Sequence, residues 1–228
     1  AAAMKVLGEI FSFSYFTDAG LVVMHLCRMV RLTLQHGLTP ASAQGFAWFG
    51  VMIGQHFGRY LEGYRFAELA RCIVDKHGFA ASEAKTVLAL QLASVWAKPI
   101  SVAVDTGRAA LAAGMDRGDI AVACWACHHT VNDLLVRGDR LEDVAREIEG
   151  HLEFVRRARF RDVVDELVTQ QRFVAALRGL TPELGTFDGE GFEEAEFEAS
   201  LVDGRMPTLA FWYWVFKGQL RFIAGRFE

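Results

Sequence analysis

Ala67-Glu68-Leu69, Ala109-Ala110-Leu111 and Gly150-His151-Leu152 are three short triplets that begin 42 and then 41 residues apart. Each lies in a helix-like stretch that soon reaches a turn, at His77-Gly78, Arg117-Gly118 and Arg159-Phe160. A period near forty holds one pair of antiparallel helices with its loops. Such a pair cannot bury its apolar face alone, so neighbouring pairs must stack. A small residue beside a leucine suits that contact: the small one lets backbones approach and the leucine fills the groove. The spacing therefore predicts an all-α, helical-repeat fold, with Ala109 at a close helix contact.

Helix boundaries are marked by caps and glycines. Asp18 opens Ala19–Gln35, which closes at His36-Gly37. Thr39-Pro40, a cap followed by proline at the first helical position, opens a run to Phe57. Tyr60–His77 follows, then Glu83–Ala97 capped by Ser82 and stopped before Pro99. Ile100–Arg117, Ile120–Arg137, Leu141–Ala158 and Arg161–Arg178 come next, with glycine closing all but Leu141–Ala158. A loop spans Gly185 to Gly191. A short acidic helix, Phe192–Leu201, and a last helix from Pro207 complete the chain. No segment alternates with period two, so no sheet is predicted.

Composition narrows the function classes. The chain has 228 residues, 52% of them apolar, and a net charge of −4; its mean hydropathy is +0.19 and its pI near 6.0. A bilayer span needs about 20 consecutive apolar residues. The run Gly45–Gln55 is too short, and Met206–Gly225 is interrupted by Lys217, Gln219 and Arg221. No secretory leader is visible, which points to the cytoplasm. The acidic balance argues against nucleic acid. Ala1-Ala2-Ala3 reads as an added leader and 4–228 as a single repeat domain cut from a longer protein, because the pattern is still apolar and helical at the last residues.

Several motifs resemble chemistry. Cys124-Trp125-Ala126-Cys127-His128 has the spelling of a covalent haem site, but it falls inside an apolar helix, where cysteine behaves as a small hydrophobe. Zinc would need a second ligand cluster, and none is present. Cys124, His128 and Asn132 share one helix face, about 6 Å apart per step, with nothing beside them to bind an oxyanion. Gly189-Glu190-Gly191 lacks the third glycine of a dinucleotide loop. Glu193, Glu194, Glu196 and Glu198 read as a solvated face, pinned to the body by Phe192 and Phe197. No catalytic, cofactor-binding or metal residue is therefore expected.

Two features are candidate interaction surfaces. Arg156, Arg157, Arg159 and Arg161 form a basic cluster, suited to the negative end of a helix or to an acidic partner. The last helix carries Phe211-Trp212-Tyr213-Trp214-Val215-Phe216 in succession. Trp212, Trp214 and Phe216 are its candidate contacts, and self-association through its outer side as a two-fold dimer is expected.

The segments His36-Gly37-Leu38-Thr39-Pro40-Ala41-Ser42, Phe57 to Phe66 (Phe-Gly-Arg-Tyr-Leu-Glu-Gly-Tyr-Arg-Phe) and Asn132 to Asp139 carry a family resemblance. So do Arg178-Gly179-Leu180-Thr181, Phe187-Asp188 and Trp212-Tyr213-Trp214. On these residues the chain resembles the tetratricopeptide-like helical region of large bacterial signalling proteins. Those proteins join a Ser/Thr-kinase-like domain, an ATPase of the AAA/STAND type, GAF domains and a histidine kinase. The resemblance implies a non-catalytic scaffold that binds protein, either a neighbouring domain of the same polypeptide or a signalling partner, with no cofactor. The alternative is a small-ligand sensor whose pocket is lined by Phe46-Ala47-Trp48-Phe49 and Phe211 to Phe216. A hydrophobic cavity with a few converging polar groups would favour that alternative.

Overall fold

The computed structural model describes residues 2–189, 191–201 and 204–227, with backbone alone at Ala19. Among them the chain is all helix, with a lone bridge between Gly189 and Phe192. In order the helices are α1 (Ala2–Thr17), α2 (Ala19–His36), α3 (Pro40–Phe57), α4 (Tyr60–His77), α5 (Glu83–Ser94), α6 (Ile100–Arg117), α7 (Ile120–Arg137), α8 (Leu141–Ala158), α9 (Arg161–Leu177), α10 (Glu194–Ala199) and α11 (Pro207–Ile223). No helix among the described residues is long and apolar enough to cross a membrane.

The caps account for the boundaries. Asp18 Oδ1 accepts the Leu21 amide at 2.7 Å, and the Thr39 amide donates to Ser42 Oγ at 2.9 Å in a capping box. Ser82 departs from expectation. It lies in a single 3₁₀ turn, Ala80–Ser82, and its hydroxyl donates to the Pro40 carbonyl at 2.6 Å instead of capping α5. α5 ends three residues early, at Ser94, because Val95–Ala97 form turns ahead of Pro99. α1 was not anticipated. Its face Met4, Gly8, Phe11 and Ser14 is buried, and it is held by His25 Nε2 donating to the Leu7 carbonyl at 2.8 Å.

The chain divides into two compact units, Ala1–Asp133 and Leu134–Glu228, with the division inside α7. In the first unit, Met4, Phe11, Val22, Leu26, Met29, Met52 and Ile53 join α1, α2 and α3. Ala43, Ala47 and Val51 then meet Ala67, Ala70 and Val74 of α4 and Ala89 and Ala93 of α5. Alanines on both sides let the helices come close. The contact is closest at Gly50 and Gly63, where a Cβ on either would stand 2.3 Å from the other's carbonyl oxygen. In the second unit, α8 packs on α9 and α9 on α11. Phe173 and Ala176 of α9 there meet Tyr213, Phe216 and Leu220 of α11, with Phe187 between them.

The structure also corrects the register of the repeat. α4 buries Gly63, Tyr64, Ala67, Ala70 and Val74. α6 buries Ala103, Val104, Gly107, Ala110 and Gly114, the same positions 40 residues on. α8 buries Val144, Ile148, His151 and Val155, a further 41 on. The triplets step by 42 at first, two residues too many, so Ala109 and Gly150 land on exposed faces while Ala67 is buried. Ala110, not Ala109, takes the close contact, and Ala109→Leu should leave stability nearly unchanged.

Candidate interaction surfaces and buried polar groups

α8 ends by turning through Arg159, which has φ 58° and is the single non-glycine among the described residues in the left-handed region. α2, α4 and α6 end at Gly37, Gly78 and Gly118 in the corresponding place. Arg156, Arg157, Arg159 and Arg161 are all exposed around this turn. Arg157 lies 3.6 Å from Glu153 in a solvent-exposed pair, an arrangement that contributes little. The nearby acids on α9 point elsewhere: Arg205 Nε donates to Asp162 at 2.6 Å and its Nη2 donates to Asp165.

The aromatic run of α11 splits by helical period. Trp214 is 53% exposed, with Phe211 and Phe222 beside it on the same side. Trp212 is half-buried against the core. Phe216 is not a surface residue: it is 5% exposed, and its ring lies 4.9 Å from that of Phe173. Three positions on from Tyr213, it faces α9. A shallow, open depression of about 370 Å³ follows the outer side, lined by Trp214, Gly218, Arg221, Phe222 and Phe227 among others. The other aromatic stretch is core: Phe46 is buried, Trp48 packs 5.0 Å from Phe11, and Phe49 packs 5.1 Å from Phe66.

α7 holds the cysteine–histidine spelling inside the protein. Cys124 and Cys127 are fully buried, and burial pushes the Cys124 thiol up to about 11. Burial holds His129 down to about 4 and His128 well below its usual value, with His129 adding to that. A protonated thiol beside neutral imidazoles is not a nucleophile–base pair. Asn132 Nδ2 and His128 Nε2 are 3.1 Å apart. Among the described residues no group of three His, Cys, Asp or Glu side chains converges as a metal site would require. Cys27 and Cys72 are exposed. A thiol-reactive dye should therefore label two cysteines quickly in the folded chain and the α7 pair only on unfolding; rapid labelling of all four would contradict this packing.

Other buried polar groups carried no motif and were missed from sequence. Gln91 Nε2 donates to Asp133 Oδ2 at 2.8 Å, and burial raises Asp133 to about 6 despite that bond. Lys217, 7% exposed, donates to the Gly185 carbonyl at 3.1 Å and pairs with Glu194. Glu194 Oε2 accepts the Phe187 amide at 2.6 Å, and Arg172 donates to the Phe187 and Asp188 carbonyls at 2.7 and 2.8 Å. The loop before α10 is thus tied down from three directions. The acidic helix is only partly a solvated face: Glu193 and Glu196 are exposed, whereas Glu194 holds Lys217 and Glu198 accepts the Tyr213 hydroxyl at 2.7 Å. Phe192 and Phe197 do pin it to the core. The one signal in the sequence was Lys217 itself, a charge inside an apolar run.

Burial raises Glu166 of α9 to about 8, the nearby Thr208 hydroxyl opposes this, and the charges of Asp162 and Asp165 add to it. The folded chain thus keeps a proton at Glu166 that the unfolded chain releases near its ordinary value of 4.5. This contribution to stability is fully present below that value and is lost as pH rises through about 8. Thermal midpoints should fall across this window, and Glu166→Gln should flatten the fall. An equally steep decline in the variant would place the titrating group elsewhere.

No family model matches the chain. Over 185 residues it is 22% identical to the hybrid signal transduction histidine kinase G of Dictyostelium discoideum, a match covering 79% of this chain. The chain resembles a segment of a signalling protein. It spans 5% of the length of that relative.

Proposed function

We propose that this chain is a non-catalytic, protein-binding and coupling segment of a cytoplasmic multidomain signal-transduction protein. The observation that carries this reading is the similarity to a small part of a hybrid signal transduction histidine kinase. The packing supports it. Groups with the spelling of chemistry, Cys124, Cys127 and His128, are interior residues of a helix, while arginines and aromatics occupy the surface. In this reading the helices are tetratricopeptide-like repeats acting as a scaffold, and kinase or ATPase activity belongs to other parts of the polypeptide. Its partners are neighbouring domains, a signalling protein or a second copy meeting it across the outer side of α11. The sensor alternative has less support, because Phe46, Trp48 and Phe49 fill cores instead of lining a cavity.

Deleting residues 4–228 from the signalling polypeptide should leave its basal phosphotransfer intact and uncouple it from its stimulus. Loss of the basal reaction itself, or ATP turnover by the purified chain, would overturn the proposal.

A further inference from the structure

Resting on the protein-binding reading, we infer that the turn between α8 and α9 is the docking point for an acidic protein segment, held by Arg156, Arg157, Arg159 and Arg161. Elsewhere the chain neutralises many of its arginines. Arg59 pairs with Glu62, Arg71 with Asp75 and Glu83, Arg117 with Glu83, and Arg226 with Glu183. At this turn three of the four have no ion pair among the described residues, and the fourth has only the exposed Glu153. The acids that follow in sequence, Asp162 and Asp165, are taken by Arg205. A chain of net charge −4 therefore presents an uncompensated positive patch at this turn.

A second observation comes from the backbone. Glycine closes α2, α4 and α6 in left-handed or otherwise positive-φ conformations. At the matching turn after α8 an arginine takes that conformation at φ 58°, which an L-residue adopts at a cost. Strain of this kind is retained where the side chain has work to do.

The form of the patch selects the occupant. Four exposed guanidinium groups, spread over the end of one helix and the start of the next, form an array and not an enclosed single-anion pocket. An extended segment with several carboxylates meets such an array with one bidentate pair per arginine. Nucleic acid is disfavoured by the acidic remainder of the chain.

The test is fluorescence anisotropy of the purified chain with a labelled peptide of alternating glutamate and alanine. Binding is expected at low salt and should weaken steeply as salt is added. Arg156→Glu/Arg157→Glu/Arg161→Glu should lose at least about tenfold in affinity, as charge reversal at a complementary site demands. Arg28→Glu/Arg31→Glu/Arg65→Glu, the same change of net charge at exposed arginines on other helices, should stay within about twofold. Circular dichroism should show both variants folded. Arg159→Gly should unfold no earlier than the parent yet bind several-fold more weakly; unchanged affinity there would overturn the place of Arg159 in the site. Equal losses in the two triple variants, no binding by the parent, or tighter binding of single-stranded RNA than of the peptide would overturn the inference. If the peptide fails to bind while the deletion still uncouples signalling, the coupling reading stands and this site falls. If the peptide binds and the deletion has no effect, the reverse holds.

Discussion

Gly63→Ala is expected to lower the free energy of unfolding by about 3 kcal/mol, at the upper end for overpacking by a single methyl. The added carbon would stand 2.3 Å from the Gly50 carbonyl oxygen and 3.3 Å from the Gly54 amide nitrogen. These are backbone atoms of α3 and cannot rotate aside as a side chain would. Relief requires α3 and α4 to separate, which loosens Ala47, Val51, Ala67 and Ala70 together. Gly150→Ala supplies the control. It sits inside α8 with open space around its Cβ direction, so the same change there should stabilise by ~0.5–1 kcal/mol through helix propensity alone. Urea unfolding of both variants decides it. Equal midpoints would mean that the α3–α4 contact yields without cost.

The second large effect is expected at Lys217. Lys217→Ala removes the cation but leaves the carboxylate of Glu194 only partly exposed to water, and breaking such a pair from one side costs up to about 3 kcal/mol, the low end for a fully buried pair. The carbonyl of Gly185 also loses a donor, and the Phe187 ring loses a cation 5.2 Å from its centre. Lys217→Met with Glu194→Gln should be milder than Lys217→Ala. The amide oxygen of glutamine can still accept the Phe187 N–H, and neither residue is then charged. A double variant as unstable as Lys217→Ala would show that the ion pair is not what holds the loop.

Much of the fold was legible because helix ends are local chemistry. Thr39-Pro40, Gly58, Gly78, Gly118 and Gly138 mark turns by side-chain bonding and positive φ, both properties of a few adjacent residues, and the helices they bound begin and end where the sequence places them. The interval was legible too, but its phase was not. A small residue followed by leucine occurs on any helix face, and a two-residue offset carried Ala109 from the contact to the surface. Six consecutive apolar residues on α11 gave no face at all; only the position of α9 shows that Phe216 is inside and Trp214 outside. Exposure of the arginine cluster was readable, since four adjacent cations cannot be buried. The buried polar pairs were not. Gln91 and Asp133 stand 42 residues apart, and Lys217 and Glu194 stand 23 apart. Nothing in either residue's immediate sequence names its partner.

Within each unit most of the packing runs from one helix to the next in sequence, or to the next but one, with the Phe16 ring of α1 on Trp125 of α7 as a longer-range contact. Two consequences follow, both kinetic. Few distant segments must find each other before native contacts form, so low contact order should speed folding within each unit relative to a sheet protein of similar size. The same locality means that one helix pair can open without dismantling those beyond it. Amide exchange should then report a ladder of separate opening events and not one shared global rate.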